Sequence, residues 1–494
     1  MRMLALQEIY PVAAVREIDR TAIEDEGIPG YTLMTRAGAA AVAEAKYRFP
    51  SATHWQIVCG AGNNAGDGYV VARLAAEEGI AVSVVAVVDP EALKGDARTA
   101  HDDFLENGGV VMLWSGDLDA DADLVIDGLL GSGLERPVEG VFADAVDAIN
   151  AHPAPTLALD IPTGLHGDTG EALGAAVRAD LTVTFVGLKS GLFLGEGPTL
   201  AGTIVFAGLD IPAHCRDAVE AVFRRIDDDL LTEYLQPRPR AAHKGDFGHV
   251  LVVGGGPGMP GAVRLCGEAA LRTGAGRVSL ATDPAHAAMI VANRPELMSH
   301  GVQQARDLLP LLERVDVVAF GPGLGQSEWA KSIYGVIAES ELPSVWDADA
   351  LNLLSASPSK ADNRVLTPHP GEAGALLGST AGDVQADRLA ALEALESRYG
   401  GTIVLKGAGS LVSAANAAPW LSTSGNPGMA AAGMGDVLTG VIAALMAQGL
   451  EPATAAAVGV EVHARAGDLA AEAGERGLIA GDLIAALRQV VNPL

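Results

Sequence analysis

The sequence predicts an α/β protein of two domains, in which short buried strands alternate with helices. A chain of 494 residues is long enough for two domains that each bury a substantial core. Hydrophobic residues make up 49% and aromatic residues only 4%, and there are 60 glycines. This composition is typical of an Ala-, Val- and Leu-rich protein with many strand-to-helix turns. In both halves, glycine or polar clusters follow the predicted strands.

A change of character near residue 226 divides the chain into domains 1–225 and 226–494. A charged run, Asp227–Asp229, is followed by the proline-rich segment Gln236–Arg240. Such a stretch is typical of a short linker.

The charge and cysteine pattern limit the classes of partner. The net charge is −29, so we expect no nucleic-acid and no membrane partner. Cys59, Cys215 and Cys266 lack metal or disulfide spacing, which fits a reducing compartment. The start of the chain carries no signal-peptide pattern, and no apolar run approaches the length of a membrane span. We expect a cytoplasmic protein that forms a homo-oligomer.

The first half begins with two helices and a βαβ unit. The expected elements are helices at Pro11–Glu26 and Leu33–Phe49, a strand at Gln56–Cys59, a glycine-rich turn at Gly60–Gly68, a helix at Tyr69–Glu78 and a strand at Val82–Val88. Such turns bind nucleotides in open sheets, although the glycines do not match the dinucleotide fingerprint. The alternative is a turn that binds nothing. The polar residues of the turn argue against it.

Two further strand ends in this half carry polar residues. Leu124–Ile126 leads into Asp127, and Leu157–Leu159 leads into Asp160 and Thr163. Because carboxyl ends of neighbouring parallel strands line one crevice, these side chains are expected to converge with Asn63 and Asn64. The alternative for each aspartate is a cap on the next turn.

The segments GAGNNAGDG, DGLLGSGLERPVEG, LALDIPTGL and TVTFVGLKSG resemble the NAD(P)H-hydrate epimerase family over nearly all of residues 1–220. The resemblance implies a Rossmann-like three-layer α/β/α domain that interconverts the R and S forms of hydrated NADH and NADPH. It also implies a K⁺ site at Asn64, Asp127 and Thr163, whose oxygens suit a hard cation. The implied substrate-binding residues are Asn63, Asn64, Ala65, Gly66, Asp67, Gly131, Ser132, Gly133, Leu134, Glu135, Arg136, Pro137 and Asp160.

Asp160 is the candidate acid/base of this domain, with Lys189 as a second group. Inverting the hydrated carbon requires reversible removal of a proton or of the hydroxyl, and Asp160 ends a strand in the crevice. The alternative is that either residue only holds a ribose or a phosphate.

The second half repeats the pattern of strands with glycine or polar clusters at their ends. The expected strands are His249–Gly254, Arg277–Thr282, Val315–Phe320, Ser344–Trp346, Val365–Leu366 and Thr402–Leu405. Glycines from Gly425 precede a helix whose apolar face includes Val437 and Val441, so backbone N–H groups can converge on an anion there. Asp436, in the first helical turn, is then a candidate base. The alternative is that Asp436 is an N-cap, as aspartate at a helix start usually is.

The segments GPGLG, TPHPGE, KGAGS and GNPGM…GMGD resemble the ADP-dependent NAD(P)H-hydrate dehydratase family of the ribokinase-like superfamily, over about residues 240–490. The resemblance implies a ribokinase-like α/β fold that uses Mg²⁺ and ADP. It implies substrate contacts at Ala262, Gly325, His369 and Asp436. It implies nucleotide contacts at Lys406, Gly407, Ala408, Gly409, Ser410 and Gly435.

These parts predict a bifunctional repair enzyme that epimerises hydrated NAD(P)H and dehydrates the S form. Hydroxide leaves poorly and phosphate leaves well, so Asp436 would activate the hydroxyl for phosphorylation and phosphate would then be eliminated. Lys406 would add positive charge. One alternative is a ribokinase-like small-molecule kinase with a fused, non-catalytic Rossmann-like binding domain. The other treats the N-terminal half as a scaffold module.

Overall fold

The computed structural model describes residues 8–415 and 417–493. The chain divides into two compact units, Met1–Arg224 and Arg225–Leu494. Each unit is built on a parallel sheet covered by helices, so the predicted α/β fold class is confirmed. Within the described residues, no helix combines the length and apolar character that a membrane crossing requires.

The first unit alternates strands and helices along the chain. Its strands are β1 (Glu8–Tyr10), β2 (His54–Cys59), β3 (Ala81–Ala86), β4 (Val111–Leu113), β5 (Leu124–Gly128), β6 (Thr156–Leu159), β7 (Leu181–Phe185), β8 (Leu188–Lys189), β9 (Thr203–Ala207) and β10 (Phe223–Arg225), which crosses the unit boundary. Its helices are α1 (Val12–Glu24), α2 (Gly30–Arg48), α3 (Asn63–Glu77), α4 (Gly95–Glu106), α5 (Val141–Ala151) and α6 (Gly197–Leu200).

The main sheet of this unit has seven parallel strands in the order β4-β3-β2-β5-β6-β7-β9. Successive side chains of a strand point to opposite faces. Accordingly, Ile57 and Ile126 pack into a core with α1 to α4, whereas Val58 and Val125 pack into a second core with α5. Both faces are therefore covered, which gives the expected three layers.

Helix α3 begins at Asn63, so the predicted start at Tyr69 is wrong. Residues 63–68 of the glycine-rich segment form the first turn and a half of the helix, and Gly62 is its N-cap. A Cβ at Gly66 would stand 2.7 Å from Met34 Cε, and one at Gly68 would stand 3.0 Å from Cys59 Sγ. These glycines thus let α3 pack closely against α2 and the sheet, which offsets their low helix propensity.

The second unit follows the same alternation. Its strands are β11 (His249–Val253), β12 (Arg277–Thr282), β13 (Met298–Gly301), β14 (Val317–Phe320), β15 (Ser344–Trp346), β16 (Arg364–Leu366), β17 (Thr402–Leu405), β18 (Leu411–Val412) and β19 (Trp420–Leu421). Its helices are α7 (Asp228–Tyr234), α8 (Pro260–Thr273), α9 (Ala287–Ile290), α10 (Leu309–Leu312), α11 (Glu328–Ala338), α12 (Asp349–Ala356), α13 (Pro370–Leu377), α14 (Ala381–Ala386), α15 (Arg388–Tyr399), α16 (Met434–Ala447), α17 (Pro452–Ala471) and α18 (Ala480–Val490).

Parallel strands in the order β13-β12-β11-β14-β15-β16-β17 form this sheet, and antiparallel β18 and β19 extend it. On one face, Val252 and Val317 pack with α8, α16, α17 and α18. On the other, the Trp346 ring packs edge-on against Phe320 and against Tyr334 of α11, with centroids 5.1 and 5.6 Å away. This sheet is also covered on both sides.

In each unit the strand order reverses at one point. The reversal lies between β2 and β5 in the first unit and between β11 and β14 in the second. Ligands of open α/β sheets bind outside the carboxyl ends of the strands at such a reversal. The glycine-rich segments after β2, β5, β11 and β14 start there, so the topology places a candidate site in each unit.

Candidate active sites

A cavity of about 850 Å³ opens at the strand reversal of the first unit, within the size range of small-molecule sites. Most of the predicted substrate residues line it, namely Asn63, Asn64, Asp67, Gly131, Ser132, Gly133, Leu134, Glu135, Arg136 and Asp160. Ala65, Gly66 and Pro137 do not line it. Ala65 is fully buried in α3, and Gly66 faces Met34 of α2 and Ala97 of α4, so both serve helix packing.

Of the three residues predicted to bind K⁺, Asn64 lines this cavity, whereas Asp127 and Thr163 are buried and bind the backbone of the lining residues Leu129 and Leu130. Asp127 is fully buried and accepts hydrogen bonds from the Thr163 hydroxyl (2.7 Å), Thr163 N (2.8 Å) and Leu129 N (3.1 Å). Burial raises the pKa of Asp127 to about 6, and these hydrogen bonds oppose the rise. Asn64 is 6% exposed, and neither its amide nitrogen nor its amide oxygen has a hydrogen-bond partner. An unpartnered buried amide is costly, so the cavity wall is chemically incomplete at Asn64.

Asp160 and Lys189 form an ion pair in the cavity wall. Asp160 directly follows β6 and takes a left-handed backbone conformation, with φ of 66°. The Lys189 side chain is 1% exposed and donates to Asp160, to Thr184 Oγ1 (3.1 Å) and to Phe185 O (2.8 Å). A left-handed conformation is strained for aspartate and points to a constrained, functional position. The structure thus places the candidate acid/base and the second group together.

Other charged groups of the cavity come from α1, which the sequence predicted only as a helix. Asp19 and Arg16, three residues apart and therefore on one helix face, line the cavity. Arg16 Nη2 lies 2.8 Å from where a Cβ of Gly133 would be. Burial raises the pKa of Asp19 and, far more, the pKa of Asp67, and the charge of Asp160 adds to both shifts. The only indication of Arg16 and Asp19 in the sequence is that two charged residues stand on one face of an amphipathic helix.

Asp436 of the second unit lies in the first turn of α16 but does not cap it. The N-cap is Gly433, with φ of 89°, and Asp436 is the third helical residue. Among the described residues no hydrogen bond to the Asp436 side chain occurs, so the N-cap alternative is wrong. Burial and then the charge of Asp347 raise the pKa of Asp436 to about 7, while Lys406 opposes the rise. A carboxylate with this pKa is suited to exchange protons near neutral pH.

Lys406, which is expected to add positive charge, pairs with two protein carboxylates. Lys406 Nζ donates to Asp347 Oδ1 over 2.7 Å and lies 3.8 Å from Glu372 Oε2. Asp347 is 2% exposed and also accepts from the hydroxyls of Thr367 (2.9 Å) and Thr439 (3.0 Å). A Cβ at Gly435 would lie 3.3 Å from both Asp347 Oδ2 and Lys406 Nζ. Lys406 therefore links the β17 end to Asp347 after β15, and Asp347 in turn binds Thr439 of α16.

The remaining predicted substrate contacts surround this centre. Gly325 N donates to Asp349 Oδ2 over 2.8 Å, and the Asp349 charge acts on Asp436. Ala262 lies on the other side of the same glycine loop, 2.9 Å from where a Cβ of Gly323 would be. His369 caps α13 through Nδ1, which accepts from Gly371 N over 3.0 Å, and its side chain is 56% exposed. His369 thus has a structural role, and its Nε2 lies 3.5 Å from Glu372 Oε1.

The predicted nucleotide loop 407–410 is supported from below by Arg388, which the sequence did not signal. Gly407 and Gly409 have φ of 144° and 66°. Ser410 Oγ donates to Gly407 O over 2.9 Å. The Arg388 guanidinium is 4% exposed and donates to the carbonyl oxygens of Leu405 (3.1 Å) and Gly409 (3.2 Å). Burial lowers the pKa of Arg388 to about 10.

Comparisons with known proteins identify two family regions along the chain. A family model described as NAD(P)H-hydrate dehydratase matches residues 250–489, and one described as YjeF-related protein N-terminus matches residues 30–191. A ribokinase-like superfamily protein from Enterococcus faecalis is 30% identical, with a TM-score of 0.51, and the match covers 55% of this chain and 97% of that one. The expected ribokinase-like fold is confirmed.

Two relatives match over the whole chain. The "Bifunctional NAD(P)H-hydrate repair enzyme Nnr" of Coxiella burnetii is 45% identical over 486 residues, covering 98% of this chain and 99% of the relative. The enzyme of the same name from Escherichia coli is 43% identical over 484 residues, covering 97% of this chain and 93% of the relative. The chain therefore belongs to the family of bifunctional NAD(P)H-hydrate repair enzymes.

Proposed function

We propose that the chain restores hydrated NADH and NADPH in two steps. Domain 1–225 interconverts the R and S hydrates, and domain 226–494 dehydrates the S form at the expense of ADP. The observation that carries the proposal is the Asp436 carboxylate, whose pKa of about 7 and place beside glycine N–H groups suit a base that delivers a hydroxyl to a phosphate. The pairing is also logical, because an epimerase supplies the isomer that a stereospecific dehydratase consumes.

In the first domain, Asp160 exchanges the proton that inversion of the hydrated carbon requires. Its carboxylate lines the cavity and is fixed by the buried Lys189 ammonium. Lys189 has two further acceptors, so it stays in place while the charge on Asp160 changes. The cavity residues listed above, from Asn63 to Arg136, would bind and orient the nucleotide part of the hydrate.

A K⁺ ion fits the corner formed by Asn64, Asp127 and Thr163. The unpartnered Asn64 amide, the Asp127 carboxylate and the Thr163 hydroxyl are the hard oxygen donors that such an ion prefers. When bound, the ion would supply positive charge beside the anionic substrate. The three side chains would hold the ion, and Asp127 also holds Thr163 in place.

In the second domain, Asp436 takes the proton of the substrate hydroxyl as the oxygen attacks the terminal phosphoryl group of ADP. The new O–P bond forms as the bond to the AMP leaving group breaks. Departure of phosphate with loss of a ring proton then restores the reduced nicotinamide. The N–H groups at the start of α16 would stabilise the transferring phosphoryl group, and Mg²⁺ bound to ADP would neutralise the charge of its phosphates.

The nucleotide would lie against residues 406–410 and Gly435, and the hydrated ring against Ala262, Gly325 and His369. The positive-φ glycines keep the backbone close to the ligand side of the loop. That the enzyme is cytoplasmic and forms a homo-oligomer remains a prediction, which fractionation and light scattering would test.

One assay tests both activities. The protein is incubated with mixed R and S hydrated NADH, ADP, Mg²⁺ and K⁺, and the near-ultraviolet absorbance of reduced nicotinamide is followed against a protein-free control. Full recovery is expected, and Asp160→Asn should stop at about half. A stable phosphorylated product without recovered absorbance would instead indicate a small-molecule kinase. Full recovery at the normal rate by Asp160→Asn would leave the first domain a scaffold.

A further inference from the structure

The buried carboxylate of Asp347 is not among the residues assigned to either reaction, yet it is held in one position from three sides. Lys406 Nζ and the Thr367 hydroxyl donate to Oδ1, and the Thr439 hydroxyl lies 3.0 Å from Oδ2. Burial alone would raise the pKa of Asp347, but Lys406 and these hydrogen bonds hold that pKa below its ordinary value. Asp347 is therefore a fixed negative charge at neutral pH.

This fixed charge is attached to the same helix turn as Asp436. Thr439 follows Asp436 by three residues, so both lie on one face of α16, and Thr439 Oγ1 also lies 3.1 Å from Gly435 O. A Cβ at Gly435 would be 3.3 Å from Asp347 Oδ2. The α16 start thus approaches Asp347 closely, and Asp436 is held where it is exposed to the Asp347 charge.

We infer that Asp347 is a positioning residue for Asp436, whose anchored negative charge makes the Asp436 carboxylate a stronger base than an isolated aspartate. The inference rests on the proposed dehydratase function. It assigns Lys406 a second role, because the pair Lys406–Asp347 orients Asp347 while partly offsetting its field.

The neighbours of Asp436 favour this assignment. The charged and titratable groups that face the cluster are Asp347, Asp349 of α12, Lys406 after β17, Glu372 of α13, Cys266 of α8 and His463 of α17. Burial lowers the pKa of His463 to about 4 and raises the pKa of Cys266, so both are neutral near pH 7. The carboxylates outnumber the single ammonium group. Among them, Asp347 acts most strongly on Asp436.

The test is the pH profile of S-hydrate dehydration by the full-length Asp347→Asn variant, with ADP and Mg²⁺ saturating. Wild type should show an acid limb near the Asp436 pKa of about 7. Removing one adjacent like charge should move that limb down by about one pH unit. Glu393→Gln, which removes an exposed carboxylate on α15 and leaves Asp347 and its contacts intact, is the control and should leave the limb in place. The ADP phosphates titrate in the same way in every assay, so they do not contribute to the difference between the pH profiles of the variants.

A second variant covers the case in which Asp347→Asn does not fold because Lys406 is left unpaired. In Asp347→Asn/Lys406→Gln both charges are gone, and the limb should still move down, by less, because Asp347 outweighs Lys406 at Asp436. An unmoved limb in a folded variant, with wild type active, would refute this inference alone. A wild type that does not dehydrate the S hydrate would instead refute the proposed function.

Discussion

Asp436→Asn should abolish dehydration while making the protein more stable. Loss of the base should lower the rate about 100- to 10,000-fold. The stability gain follows from the rise of the Asp436 pKa from 3.8 to about 7 on folding. A raised carboxyl pKa means that ionisation is disfavoured in the folded state. The stability that wild type gains from keeping Asp436 protonated is fully present below about pH 4 and is lost as the pH rises through about 7.

The size of the effect follows from the same shift. Three pKa units correspond to about 4 kcal/mol, an upper limit because the ionised site can relax. The asparagine side chain carries no such penalty at any pH. The variant should therefore melt close to wild type near pH 4 to 5 and higher above about pH 7. If about 2 kcal/mol is realised, the Tm should rise by about 4 to 8 °C.

The measurement is thermal unfolding of the full-length variant and wild type across this pH range, beside the dehydration assay. Glu393→Gln is the matched control, because Glu393 is an exposed carboxylate on α15. The difference in Tm between Glu393→Gln and wild type should be nearly the same at low and at high pH. An Asp436→Asn variant that gains no stability between about pH 5 and pH 8, or retains the wild-type rate, would refute the reasoning.

Three further predictions concern other groups. Lys189→Met should destabilise the first unit by about 3–5 kcal/mol, whereas Asp160→Asn/Lys189→Met should recover much of that loss in a melting experiment yet remain unable to epimerise. In Asn64→Leu, epimerisation should no longer depend on K⁺, and K⁺ should no longer raise the Tm relative to choline as it does in wild type. An unchanged K⁺ response would exclude Asn64 as a ligand. Gly435→Ala should reduce dehydration about 10- to 100-fold because its Cβ would press on Lys406, while Gly335→Ala, with open space at that position, should not.

The convergence of strand ends was predictable from the sequence, because parallel strands end at one edge of a sheet. Asp127 and Thr163 followed recognisable strands, and the structure joins them by a hydrogen bond of 2.7 Å. The start of α3 was not predictable in this way. Glycines normally end helices, and only the tertiary packing of Gly66 and Gly68 shows why they are accommodated inside one.

Long-range charge pairing was the part that local pattern could not supply. Asp347 and Lys406 were each visible as strand-end residues, but 59 positions separate them, and nothing local indicates that they neutralise each other. The same holds for Arg16 and Asp19, which reach the first cavity only because of how α1 packs. Arg388 stands at the start of α15 and is buried, although arginines are mostly exposed, and no local pattern indicates this burial.

Arg388 also has a consequence for the energetics of nucleotide binding. Because its guanidinium anchors carbonyl groups at both ends of residues 405–409, the loop has its shape without a ligand. A receptor that is already ordered loses little conformational entropy on association, so more of each contact energy appears as affinity. Both of the bonds to these loop carbonyls come from Nη2, while Nη1 donates to Gln385 Oε1 of α14, so the guanidinium plane also joins the loop to that helix. A lysine ammonium is a compact point charge and lacks this fixed spread of donors. The loop is therefore pre-organised, and the conformational entropy of ordering it is lost when the chain folds rather than when the nucleotide binds.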